Sequence, residues 1–394
     1  MRVLNVEPTP SPHTLRCSLN QRLDAGLRFI YSSDQMSLAP EWLHGVLRTS
    51  GVRSVMHVAD FIAIDKDPVH DWKLIIQGFQ TLELFGEILN EATSSSKMEN
   101  KELDTTDDVL EVRVFIQQFM QLPIQWKILV GIQETRIPAP DRFRTLVMKL
   151  SQQGSNLIQA REWVELDRRY GSIEQIAEEL RLESQVRYAT VADMHEQLVT
   201  ESHEVISDHK KMEPKNESTI NATELMHVTE QLHHDEWRVR YQTVIELQQM
   251  DLREEVAPIL YPLFHDSHYA VRRMAGVVYA QIKNVDVLPA LIELLGDSSP
   301  IVRRTIADSL TDLGDRRALL EMRKLLEDPS RIVRWRAARF LFEFGDHEDL
   351  VDLEKAKSDD AFEVQLQIRM AIERIASGQE AAGSIWQQMG GGNT

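Results

Sequence analysis

Cysteine is nearly absent from this chain: Cys17 stands alone among 394 residues. A single thiol excludes an intrachain disulfide, and it excludes any metal or cluster site built from several thiolates of one chain. Long apolar runs are missing too. Nothing approaches the ~18 uninterrupted apolar residues of a membrane span. The opening Met1-Arg2-Val3-Leu4-Asn5-Val6-Glu7 turns acidic and proline-rich before the apolar core of a secretory signal could form, so the expected location is cytoplasmic. Basic charge is in deficit, with 44 Lys and Arg against 62 Asp and Glu and a formal net charge of −18. That field opposes a general affinity for nucleic-acid phosphates. Gly-x-Ser-x-Gly, a phosphate-cradling glycine loop and His-Glu-x-x-His are all lacking. The expectation is a non-enzymatic protein that binds other proteins, with no catalytic residue, cofactor, metal ligand or membrane association.

What the chain does have is a repeat. Asp235, Asp266, Asp297, Asp328 and Asp359 recur every 31 residues, each followed by Val-Arg or its variant: Val239-Arg240, Val271-Arg272, Val302-Arg303, Val333-Arg334 and Val364-Gln365. Apolar residues fall at helical spacing after each, as in Val271, Ala275, Val278 and Ile282. A preceding helix repeats as well, with Val256, Leu260 and Leu263 reappearing as Val287, Leu291 and Leu294. Each unit is therefore a helix pair. Leu313-Gly314 and Phe344-Gly345 suggest left-handed C-caps, and Asp297-Ser298 and Asp328-Pro329 supply N-cap chemistry. A single pair cannot cover its own apolar faces, so neighbours must stack. The pattern over 222–378 resembles HEAT repeats of the type found in phycobiliprotein lyases, which implies an all-α solenoid of five units.

Residues 1–92 alternate strand and helix, an α+β unit. Leu15, Cys17 and Leu19 share one strand face, which makes Cys17 a small buried hydrophobe. The segment Glu7-Pro8-Thr9-Pro10-Ser11-Pro12-His13-Thr14-Leu15-Arg16, with Gly51-Val52-Arg53-Ser54-Val55 and Ala59-Asp60-Phe61-Ile62, resembles the N-terminal domain of Nfu/NifU scaffolds. Ser11 stands where that family usually has Asn, and His57-Val58 where an aromatic-Gly pair is common. The resemblance implies partners among iron–sulfur assembly components or their clients. The Cys-x-x-Cys module that carries the Nfu cluster is not present in this chain.

A polar linker begins at Thr93-Ser94-Ser95-Ser96, and a cut between Thr93 and Asp107 is expected to release two separately folded pieces. A second α+β domain is expected over 107–182, opening with an amphipathic helix from Asp107 to Met120 and a strand from Ile124 to Val130. A helical or flexible linker over 183–221 follows, and a tail over 379–394 closes the chain. Arg168-Arg169-Tyr170-Gly171, Val333-Arg334-Trp335-Arg336 and Ala381-Ala382-Gly383-Ser384-Ile385-Trp386 resemble the conserved virulence factor C family of Gram-positive bacteria, which has the same three parts in this order. That resemblance implies a bacterial protein connected to exotoxin production and virulence, without naming a molecular activity.

Within the repeats, Asp266/Arg272, Asp297/Arg303 and Asp328/Arg334 are expected to form a ladder of carboxylate–guanidinium contacts tying repeat to repeat. Arg273, Arg304, Trp335, Arg336 and Arg339 lie on the second helices, which in HEAT solenoids line the concave face, and are the expected partner-binding residues. Eight of the thirteen histidines fall between His195 and His268 with no ligand spacing, which suits a solvated helical linker. The His-Glu pairs that bind iron in deoxyhypusine hydroxylases are misplaced here: His195-Glu196 and His203-Glu204 precede the array and His347-Glu348 occurs once within it. Two functions remain open: an adaptor for protein partners linked to iron–sulfur assembly, or a regulator acting on nucleic acid or a transcription complex through the arginine-bearing face.

Overall fold

The computed structural model describes residues 1–8, 13–23, 27–67, 70–85, 111–130, 133–152, 160–166, 168–201, 222–250 and 254–378. Two compact units result, one made of Met1–Val109 with Gly314–Thr394 and the other of Leu110–Leu313. Thr93–Asp107 and the tail motif at 381–386 lie outside the described residues.

The first unit opens with β1 (Val3–Pro8), β2 (Thr14–Leu19), β3 (Arg28–Ser32), α1 (Glu41–Arg48), β4 (Val52–Val58), β5 (Phe61–Lys66) and α2 (Trp72–Phe79). The strands form one antiparallel sheet in the order β1-β2-β5-β4-β3. Strict alternation on β2 sends Leu15, Cys17 and Leu19 inward. Leu43, Val46 and Leu47 of α1 and Trp72, Ile75, Ile76 and Phe79 of α2 close over that face. The Asp71 carboxylate starts α2 by accepting the Lys73 amide at 2.9 Å. Cys17 is fully buried in this core.

The second unit begins with β6 (Glu111–Phe119), β7 (Leu122–Val130), β8 (Gln133–Pro138), α3 (Asp141–Gln152), β9 (Glu162–Glu165), β10 (Arg169–Tyr170), α4 (Ile173–Arg187) and α5 (Ala189–Glu201). The helix expected across Asp107–Met120 is, from Glu111 on, the strand β6. Val112, Val114 and Ile116 are buried alternately, and Met120 and Gln121 take positive φ of 50° and 64° to turn β6 back onto β7. Such a two-residue reversal matches strand twist. Repeat helices follow: α6 (Ala222–Leu232), α7 (Trp237–Gln248), α8 (Ala257–Leu260), α9 (Tyr269–Tyr279), α10 (Leu288–Leu294) and α11 (Pro300–Leu313). The expected linker over 183–221 is thus occupied by the end of α4 and by α5 up to Glu201.

The chain then returns to the first unit with α12 (Leu319–Lys324), α13 (Arg331–Phe344), α14 (Leu350–Ala356) and α15 (Phe362–Ser377). Helix α13 packs against α15, and Phe362 and Leu366 of α15 enter the hydrophobic core beneath the N-terminal sheet. Here the expectation of two independent pieces is corrected, because residues on both sides of the cut share one core. The cap expected at Gly345 is corrected too: its φ of −67° is extended, whereas Gly314 and Gly378 are left-handed at 65° and 66°. Glycine is required at 345 for a different reason, since a Cβ there would collide with the Leu341 carbonyl oxygen.

Candidate binding site

The expected carboxylate pairing of Asp266 with Arg272 and of Asp328 with Arg334 is corrected: each arginine meets the aspartate six residues before it at the backbone carbonyl and gives its fork to the carboxylate 25 residues on. Arg272 donates from Nε and Nη2 to both Asp297 carboxylate oxygens at 2.6 and 2.8 Å, and from Nη1 to the backbone carbonyl of Asp266 at 2.9 Å. Arg240 does the same to Asp266 and Arg334 to Asp359. The backbone leg recurs from Arg303 to Asp297 at 2.8 Å and from Arg334 to Asp328 at 3.0 Å. Asp266, Asp297, Asp328 and Asp359 also accept the amide two residues on, so the Asp266, Asp297 and Asp359 carboxylates are each used twice. Asp235 departs from this pattern. Arg240 precedes Arg272 by 32 residues, so the equivalent of Asp266 is His234. The His234 ring Nδ1 accepts the Glu236 amide at 3.0 Å in the aspartate's place. Gln365 keeps only the backbone leg, to the Asp359 carbonyl.

The expected stripe does not stand free. Trp335 is 1% exposed and belongs to the core. The Arg273 side chain is 12% exposed, and its Nη2 meets Glu179 Oε2 at 2.8 Å. Arg304 pairs with Asp308 at 2.8 Å while its guanidinium lies 3.9 Å from the centre of the Tyr170 ring. Arg339 is tied to Glu343 at 2.6 Å, and Arg336 rests over Trp335, 4.9 Å from its ring. Helical spacing alone placed these residues on one face; the carboxylates that claim them lie partly on α4, far away in sequence.

That meeting of α4 with the repeats is the most polar buried region of the second unit. Glu183, 3% exposed, receives Nη1 and Nη2 of Arg169, both at 2.7 Å, and the Tyr241 hydroxyl at 2.9 Å. Glu179 accepts the Tyr269 hydroxyl at 3.1 Å as well as Arg273. Burial opposes ionisation of Glu183, but Arg169, Arg187 and Arg273 outweigh it and hold the carboxyl at about 2. Burial first, then the Glu183 charge, push the Tyr241 hydroxyl well above its usual range. Glu111 completes the region, accepting Arg168 and, at 2.8 Å, the Tyr170 hydroxyl. A cavity of about 250 Å³ opens beside these groups, bordered by Arg168, Arg169, Glu183, Arg187, Tyr188 and Arg273. Sequence reasoning missed Glu179 and Glu183. Their signal was two carboxylates four residues apart on the side of α4 that also buries Ile176 and Leu180.

A second feature lies in the first unit. Strand β3 is a sheet edge, and Phe29 and Ile30 on it are exposed, Ile30 at 61%. Leu27 before it and Leu38 after it are exposed as well. Among the described residues no group of three or more His, Cys, Asp or Glu is arranged to hold a metal ion, and no helix is long and apolar enough to cross a membrane.

Comparison with known proteins assigns three segments. A family model described as "Scaffold protein Nfu/NifU N terminal" matches residues 4–92, one described as "Virulence factor" matches 117–194, and "HEAT repeats" match 225–300 and 288–373. The chain is similar over its whole length to Bacillus subtilis YpgR, at 45% identity covering 99% of this chain and 98% of the relative. It is also similar to conserved virulence factor C of a bovine Staphylococcus aureus strain, at 41% identity covering 99% of both, and of Staphylococcus saprophyticus, at 32% covering all of both. Among solved structures, a small Staphylococcus aureus protein aligns with 21% of this chain and 98% of its own at 24% identity and a TM-score of 0.20. A designed armadillo repeat protein aligns with 58% of this chain and 99% of its own at 17% identity and a TM-score of 0.30.

Proposed function

Because the chain belongs to the conserved virulence factor C family, we propose that it is a non-enzymatic cytoplasmic adaptor that holds protein partners, one of them a component or client of iron–sulfur assembly. The observation that carries this is the edge strand β3 of the Nfu-like sheet, with Leu27, Phe29 and Ile30 open to solvent. A strand edge with exposed apolar side chains is a template for a partner segment. The buried Cys17 is consistent with a recognition role for this domain and leaves cluster carriage to a partner. The link to virulence-factor production then follows from which client is held. Recognition through the repeats, by Arg304, Arg336 and Arg339, requires a partner that competes with Asp308 and Glu343, which hold Arg304 and Arg339. The nucleic-acid alternative loses ground because Arg273, Arg304 and Arg339 already face carboxylates.

Replacing Ile30 with aspartate tests the proposal. Ile30 is exposed, so stability should change by no more than about 1 kcal/mol. Partner recovery in affinity capture from cells should fall by about tenfold or more. Undiminished recovery with I30D, but loss with Arg336→Glu, would move recognition to the repeats; no loss with either would remove the proposal.

A further inference from the structure

We propose that the cavity between α4 and the repeat helices α7 and α9 binds a small oxyanion, a phosphate or a short carboxylate. Three observations converge on this chemistry. The first is charge. Four guanidiniums, Arg168, Arg169, Arg187 and Arg273, border the cavity. Among the described residues the carboxylates that face them are Glu111, Glu179 and Glu183, with Glu165, which Arg168 also influences, held by Arg113, so the described cluster holds one more positive charge than negative.

The second observation is unused donor capacity. Arg169 Nε is buried and has no hydrogen-bond acceptor among the described residues, a condition that costs folding free energy unless a ligand or water fills it. Arg187, 48% exposed at the mouth, reaches only to within 3.8 Å of Glu183 Oε2. That oxygen is already engaged by Arg169, and Glu183 Oε1 by both Arg169 and Tyr241. Glu183 therefore has little left to offer Arg187. A planar or tetrahedral oxyanion would supply two acceptors at once to a guanidinium fork.

Size is the third. At about 250 Å³ the cavity falls below the ~300–1,000 Å³ of sites for drug-sized ligands. Its remaining wall carries Leu166, Met274 and Val277, which would accept a few methylene groups beside the charged head. A nucleotide or peptide would leave most of its atoms outside the cavity. The site lies wholly inside the second unit, and it does not depend on the adaptor proposal.

Isothermal titration of the full-length protein with inorganic phosphate and with succinate, at fixed ionic strength and with glycerol as the uncharged control, tests the inference. Saturable binding of either anion is expected, and the one that binds more tightly identifies the head group. Arg187→Gln should weaken binding about tenfold or more, because a charge-assisted pair of hydrogen bonds is lost. Arg181→Gln, on the same helix and 46% exposed but off the cavity, should leave affinity unchanged. Hydrogen exchange gives a readout free of any variant: the bound anion should slow exchange in peptides covering 168–170 and 183–188. Lack of saturation by both anions, equal loss in the two variants, or unaltered exchange would each overturn the proposal.

Discussion

Replacing Glu183 with leucine measures what the buried ion pair contributes. The substitution removes the acceptors of both Arg169 bonds and of the Tyr241 hydroxyl, leaving a largely buried guanidinium without its counter-ion. Breaking one side of a buried pair costs about 3–5 kcal/mol. A second route reaches a similar figure. The carboxyl is held at about 2 in the folded chain against an ordinary 4.5, and at ~1.4 kcal/mol per pKa unit that difference corresponds to about 3 kcal/mol. The folded value is depressed, so this stability is present in full above pH 4.5 and is lost as pH falls towards 2. Denaturant titration followed by hydrogen exchange in peptides covering 169–187 reads the loss at this site without assuming that the whole chain unfolds in one step. At pH 7, E183L should lose about 3–5 kcal/mol, and most of it should return in E183L with Arg169→Met, which replaces the pair by apolar groups. A loss under about 1 kcal/mol, or a double variant no better than the single one, would refute the reasoning.

The remaining expectations concern the ladder, the linker and the thiol. Arg272→Ala removes two bonds to Asp297 and one to the Asp266 carbonyl and should cost about 2–4 kcal/mol in thermal or urea melts. Gln365→Ala, which removes a single backbone contact, should cost under about 1 kcal/mol. An inserted protease site between Thr93 and Asp107, once cut, should yield two pieces that co-elute in gel filtration, because Phe362 and Leu366 sit in the N-terminal core; separate elution of two folded pieces would contradict this. Protein prepared without oxygen should show no visible cluster absorption, since its only thiol is buried. Bands that vanish in Cys17→Ser would instead indicate a cluster shared between chains.

How much of this was legible in the sequence depends on how local each interaction is. The 31-residue recurrence exposed the repeats and the ladder residues because the same residue types return at each unit, whereas which carboxylate each arginine takes, 25 residues on, did not show in it. Even there, the shift from 31 to 32 between Arg240 and Arg272 hid His234 behind Asp235. Residues 109–119 fit both periods, Val112, Phe115, Ile116 and Phe119 for a helix and Val112, Val114 and Ile116 for a strand. β-Branched and aromatic enrichment, with the turn at Met120-Gln121, favours the strand. Burial of Arg273 was not legible, since its partner Glu179 is 94 residues away. Nor was the shared core of the N-terminal sheet and α15, whose joining residues are separated by most of the chain.

The measurement that bears most directly on the adaptor role is in-cell photo-crosslinking from position 30, with a crosslinking amino acid in place of Ile30 and a control at Val351, another exposed apolar residue on α14 of the same unit. A discrete protein adduct is expected from position 30, resistant to nuclease and identified by mass spectrometry as an iron–sulfur assembly component or client, with none of it from position 351. Equal labelling from both positions, or adducts that disappear with nuclease, would contradict it.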